Sequence, residues 1–134
     1  MFKLIKILNS GVNVPEPCRL TKDSDTAIKM GAALVLSSGA AAYCGENEAP
    51  EFISMEDAEA GKSYVTAFQV TEGMLFEAAV STDPAALYVG AGVALAKDTD
   101  GATTVLGAES ASGIAKIVSL DGAAEIGDRI TVKF

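Results

Sequence analysis

The sequence has no histidine, no tryptophan and only two cysteines in 134 residues. Without an imidazole there is no catalytic triad, no histidine general base and no histidine metal ligand. Cys18 and Cys44 lie far apart, with no CxxC pair and no second pair, so a cysteine zinc site is incomplete. They read as small buried side chains, with a disulfide between them or a nucleophilic role as the alternatives. No apolar run reaches the roughly 18 residues that mark a membrane span, and MFKLIKIL gives way to NSG too early for a secretory core. That pattern predicts a soluble protein made in the cytoplasm, with no membrane partner. Five Phe and three Tyr leave little with which to build an aromatic stacking platform.

Bases are also scarce. Ten Lys and Arg stand against 18 Asp and Glu, for a net charge of −8. The imbalance is uneven: residues 1–30 hold Lys3, Lys6, Arg19, Lys22 and Lys29 against Glu16, Asp23 and Asp25, and the remainder is strongly acidic. An acidic body repels phosphate backbones, so nucleic acid is excluded as a direct partner. Asp98-Thr99-Asp100-Gly101 resembles the start of a calcium loop but lacks the later ligands. The carboxylates Glu46, Glu48, Glu51, Glu56, Asp57 and Glu59 flank Pro50 and read as a solvated loop. Gly90-Ala91-Gly92 lacks the spacing of a phosphate cradle. No catalytic residue, metal or cofactor is expected.

What is present is strand grammar. Apolar residues make up 49% of the chain, much of that Ala, which predicts a thin core of small and β-branched side chains. Tyr64–Val70 and Met74–Val80 alternate around Thr71-Glu72-Gly73, which predicts a hairpin closed by a left-handed Gly. Ile130, Val132 and Phe134 alternate with Arg129, Thr131 and Lys133, placing the last residue in the core. Further strands are expected near 32–36, 40–44, 51–55, 93–97, 102–106 and 113–119. Ser54–Asp57 and Asp83-Pro84 carry helix-start signals, each sufficient for a single turn.

One phrase occurs three times: an apolar residue, Gly, two spacers and an apolar-x-apolar pair, as MGAALVL at 30–36, VGAGVAL at 89–95 and IGDRITV at 126–132. It has no reactive group. Gly followed by alternation describes a chain turning tightly into a new strand, so each copy should begin a strand of one barrel. The unequal spacing rules out a solenoid of fixed period. A Gly turn and a short strand follow both of the first two copies, which leaves an internal duplication open. The fold class is therefore all-β: a small antiparallel β-barrel or β-tulip-like sandwich with at most one or two short helical turns. Residues 1–22 form an extended N-terminal arm and residues 23–134 a single β-barrel domain. The arm is assigned because its apolar residues keep no period of two and because Pro15 and Pro17 remove two backbone donors, although an ordinary edge strand is an equal alternative.

In order along the chain, KLIKILNSGVNVPEPCRL, the Gly31–Leu36 phrase, TEGMLFEAAV, the Val89–Leu95 phrase and GDRITVKF resemble the small head decoration, or cement, proteins of tailed bacteriophages. The resemblance spans nearly the whole chain. It implies a non-enzymatic structural protein on the outer capsid surface of the virion, synthesised in the bacterial host cytoplasm. The implied partner is the major capsid protein, whose neighbouring subunits it clamps together, often as a homotrimer. By position and character the resemblance places shell or subunit contacts on the arm, at Phe2, Lys3, Leu4, Ile5, Lys6, Ile7, Val12, Val14, Pro15 and Arg19. The charge split suggests that the basic front faces the shell. Two rival readings are a glycan- or receptor-binding module of a phage head fibre and a small hydrolase or transferase using Cys18 or Cys44.

Overall fold

The computed structural model describes residues 1–8 and 15–134. Eleven strands follow one another with no helix among the described residues: β1 Lys3–Ile7, β2 Pro17–Thr21, β3 Ala33–Ser37, β4 Ala40–Tyr43, β5 Phe52–Ser54, β6 Tyr64–Gln69, β7 Met74–Ala79, β8 Gly92–Lys97, β9 Thr103–Glu109, β10 Ala115–Ser119 and β11 Arg129–Lys133. They form a six-stranded sheet, β1-β7-β11-β10-β8-β9, and a five-stranded sheet, β2-β6-β5-β3-β4, antiparallel throughout. The fold is all-β and sandwich-like; neither sheet closes into a barrel. The two helix-start signals serve turns instead. Ser54 Oγ donates to the Glu56 carbonyl, and Asp83 Oδ1 accepts from Ala85 N–H at 2.9 Å.

The expected hairpin at 64–80 is a corner. β6 lies in the five-stranded sheet between β2 and β5, and β7 lies in the other sheet between β1 and β11. Gly73 takes the left-handed conformation, φ 89°, that the sequence calls for. Alternation identifies strands without naming their partners, and here cross-sheet burial decides. Phe68 and Phe76 stack across the interior with ring centroids 6.3 Å apart, a contact that pairing side by side in one sheet would forgo. The three Gly phrases do start strands, but in two sheets: β3 in the smaller, β8 and β11 in the larger.

The order of strands discloses a repeat. Setting β1 aside, β2-β6-β5-β3-β4 and β7-β11-β10-β8-β9 are the same topology, first-fifth-fourth-second-third, built twice in succession. Equivalent backbone bonds recur: Gly31 N–H to Ser54 O and Gly90 N–H to Ile117 O, Ser54 N–H to Ala32 O and Ile117 N–H to Ala91 O, Lys22 N–H to Ser63 O and Val80 N–H to Asp128 O. Each sheet curls until its first strand nears its third at one parallel bridge, Lys22 with Ala41 and Val80 with Val105. An internal duplication, which the sequence leaves open, would produce this arrangement. Each unit has its own interior: Ile28, Leu34, Val65 and Ala67 in the first correspond to Leu87, Val93, Ile130 and Val132 in the second. The opposite face of the first unit, through Ala33, Ile53 and Phe68, packs onto the second.

The described parts of the segment read as an arm lie within the sheets. β1 adds to β7 as an outermost strand, with Lys3 opposite Glu77 and Ile7 opposite Met74. A register shift between Leu4 and Lys6 lets Phe2, Leu4 and Ile7 all face the core, which explains the missing period of two. Ile5 is left exposed. β2 is an edge strand paired with β6, and Pro17 suits that edge because it offers no outward N–H to a stray strand.

Phe2 is 2% exposed and meets Phe76 and Phe134 edge-on at 6.2 and 5.1 Å. Phe2→Ala is expected to cost about 3 kcal/mol or more through lost burial and a cavity, read as a fall in the urea midpoint with little change in slope.

Candidate functional site

The outer face of the six-stranded sheet concentrates positive charge. Inward positions on its strands are Phe76, Ala78, Ala115, Ile117, Ile130 and Val132, so the alternate positions point away from the core. Those positions include Lys3 and Lys6 on β1, Lys116 on β10, and Arg129 and Lys133 on β11, all exposed. Five of the ten bases of an acidic chain thus share one sheet face. Glu77 on the same face forms an ion pair with Arg129, and Asp121 sits at its end, accepting a 2.7 Å bond from Thr131 Oγ1. Lys116 and Lys133 are direct cross-strand neighbours. Like charges placed opposite each other destabilise a sheet, so this pair works against the fold unless an anion covers it.

The repeat adds a second argument. Lys116 and Lys133 stand at the positions that Ile53 and Phe68 occupy in the first unit, where the same face is buried against its sister. One copy of this face is thus a packing surface, and the other is open and cationic. Beside it, at the junction of the units, a groove of about 480 Å³ is lined by Phe2, Met30, Ile53, Met55 and Phe68, with Lys3 and Arg129 at its rim.

Among the residues expected to make contacts, Lys3 and Lys6 join this face, whereas Phe2, Leu4 and Ile7 face the core and serve packing. Ile5 is exposed at the bulge. Val12 and Val14 lie outside the described residues. Pro15 is half-buried, and the Arg19 guanidinium lies 4.0 Å above the Tyr64 ring, on the other sheet. The front of the chain does not act as one basic patch: Lys22 is buried, its ammonium donating to the Asp23 and Thr26 carbonyls. Lys116, Arg129 and Lys133 were missed in the sequence. The outward alternation of Arg129, Thr131 and Lys133 was visible there, but not the register that brings Lys116 beside Lys133.

Other candidate groups are occupied structurally. Three members of the acidic run hold turns: Glu48 accepts from Gly45 N–H, Asp57 from Met30 N–H and Glu56 from Thr66 N–H. Tyr43 lies under the Lys97 ammonium at 3.8 Å, Tyr64 lies under Arg19, and the Tyr88 hydroxyl donates to Glu109. The three phenols therefore sit in separate contacts. Cys18 and Cys44 are free thiols, both half-buried. Burial, then the charges of Glu48 and Glu51, push the Cys44 thiol up to about 12, the reverse of an activated nucleophile.

Cys44 is accordingly expected to react with a maleimide far more slowly in the folded protein than after denaturation, at neutral and mildly alkaline pH. A second outcome concerns Asp128, whose carboxylate accepts from the Ala124 and Glu125 N–H groups at 2.8 and 3.0 Å, lowering its pKa below the ordinary 3.8. Because the folded value is the depressed one, this contribution is present above 3.8 and is lost as pH falls through the folded pKa. The Tm deficit of Asp128→Asn should therefore be largest at neutral pH and close on acidification through that window.

No protein-family model and no curated protein matches the sequence. Among solved structures, the fold is similar to that of the head fibre gp8.5 N base of bacteriophage phi29, with a TM-score of 0.53 and 16% identity over 89% of this chain and 94% of that one.

Proposed function

We propose that this chain is a surface protein of a tailed-phage head that docks on the major capsid protein through the cationic face of its six-stranded sheet and stabilises contacts between capsid subunits. The observation that carries the reading is the likeness in fold to a phage head fibre base, extending over nearly the whole of both chains. The docking surface follows from the charge: five bases on one face of a protein of net charge −8 suit an acidic patch on a shell. The role needs no catalysis, metal or cofactor, and the protein acts as a homotrimer on the outer surface of the virion. Repetition over many shell sites makes even a weak contact effective.

Likeness to a head fibre base leaves room for a second reading, a module of a head fibre, with a glycan or receptor as its proposed ligand. The dispersed and occupied phenols of Tyr43, Tyr64 and Tyr88 weigh against a stacking site for sugars.

Co-sedimentation with undecorated heads of its own phage tests the proposal. Removing the first strand would take Phe2 out of the core and confound binding with stability, so charge reversal is the cleaner perturbation. Wild type should bind saturably and less tightly as salt rises, and Lys116→Glu with Lys133→Glu should weaken binding about tenfold or more. Unchanged binding by that double variant would remove the cationic face, and no binding by wild type would return the fibre-module reading to first place.

A further inference from the structure

The two units differ at one pair of equivalent glycines. Gly31 and Gly90 share a left-handed conformation, φ 72° and 93°, and equivalent hydrogen bonds to β5 and β10. At Gly31 the chain's first residues pass directly overhead. The Gly31 carbonyl accepts from Phe2 N–H at 2.9 Å, and a Cβ there would stand 2.1 Å from Met1 Cγ and 2.7 Å from the Phe2 carbonyl oxygen. The Phe2 side chain then enters the apolar cluster that contains Ile53 and Phe68. At Gly90 a Cβ would meet nothing within 4 Å.

From this comparison we infer that the surface over Gly90 is a docking site for an extended acidic segment of a partner protein, which crosses it as residues 1–3 cross Gly31. The chemistry of the occupant is read from what replaces the apolar receiver. Where the first unit offers Ile53 and Phe68, the second offers Lys116 and Lys133. A segment seated there presents carboxylates to these two ammonium groups and relieves their mutual repulsion. Tyr88 and Val89, 52% and 60% exposed, border Gly90 and supply apolar contact for a neighbouring side chain. The Gly90 carbonyl takes one backbone N–H of the segment, as the Gly31 carbonyl takes that of Phe2. Acidic charge and extended backbone together define the partner, which meets two ammonium groups against the one carboxylate, Glu109, that the Tyr88 hydroxyl holds at the border.

The site deepens the proposed function and rests on it only for the identity of the partner. The direct test is titration of isotope-labelled full-length protein with the capped synthetic peptide Glu-Phe-Asp-Glu, followed by amide NMR. The expected result is saturable shifts centred on Tyr88–Ala91, Lys116–Val118 and Lys133, absent with the capped peptide Lys-Phe-Lys-Lys. Both Lys116→Glu and Lys133→Glu, surface changes checked for retained Tm, should weaken the acidic peptide about tenfold or more. The proposal is overturned if the acidic peptide leaves Gly90 and its neighbours unmoved, or if both peptides act alike. It is also overturned if the same shifts arise on concentrating the protein alone, which would make a second copy the occupant. Peptide binding without head binding would sink the capsid reading and leave this site standing; head binding that ignores both Lys reversals, with no peptide shifts at Gly90, would do the opposite.

Discussion

Phe76 is where the separate parts of this protein are held together. Its ring meets Phe2 from the first strand, Phe134 from the end of β11 and Phe68 from the other sheet, at centroid distances of 6.2, 5.4 and 6.3 Å. Four of the five phenylalanines are spent on this one cluster. A chain without tryptophan, whose commonest apolar residue is alanine, has few side chains large enough to bridge two curled sheets. Concentrating them at the junction fixes the two units against each other, and it fixes β1 in the register that leaves Lys3 and Lys6 outside. The cationic face therefore depends on aromatic packing directly beneath it.

The fold class was legible in the sequence because period-two alternation is a local property. β6, β7 and β11 could each be read from their own residues, as could the inward direction of Ile130, Val132 and Phe134. Pairing is not local, and that is where sequence reasoning failed. Thr71-Glu72-Gly73 has the chemistry of a tight turn whether it closes a hairpin or carries the chain to another sheet. The first strand was obscured by one bulge at Ile5, which breaks the period without breaking the strand. The candidate site was half visible. Lys3 and Lys6 were singled out, but the charge split grouped them with Arg19 and Lys22, which the fold sends elsewhere, one over an aromatic ring and one into a buried carbonyl nest.

The two units illustrate how a repeated architecture diverges by face. Their interiors are apolar at most equivalent positions, although buried Lys22 and Ser54 stand where the second unit has Val80 and Ile117. Their outer faces have parted: Ile53 and Phe68 in the first, Lys116 and Lys133 in the second. An apolar pair suits a permanent contact within one chain. A charged pair can remain in water until a partner arrives, which keeps the same scaffold soluble on its open side.

The placement of β1 also bears on how the molecule is made. β2 through β6 pair among themselves and can assemble as soon as residue 69 is available, whereas β1 has no partner until β7 appears beyond residue 73. β1 is thus seated only after the strands β2 to β6 are available, once a long loop has closed at an entropic cost. Until then β7 has a bare edge and Phe76 an uncovered side, both of which fit the first strand of any neighbouring chain equally well. Crowded synthesis therefore favours exchange of β1 between molecules, and dilution during folding favours its return to its own.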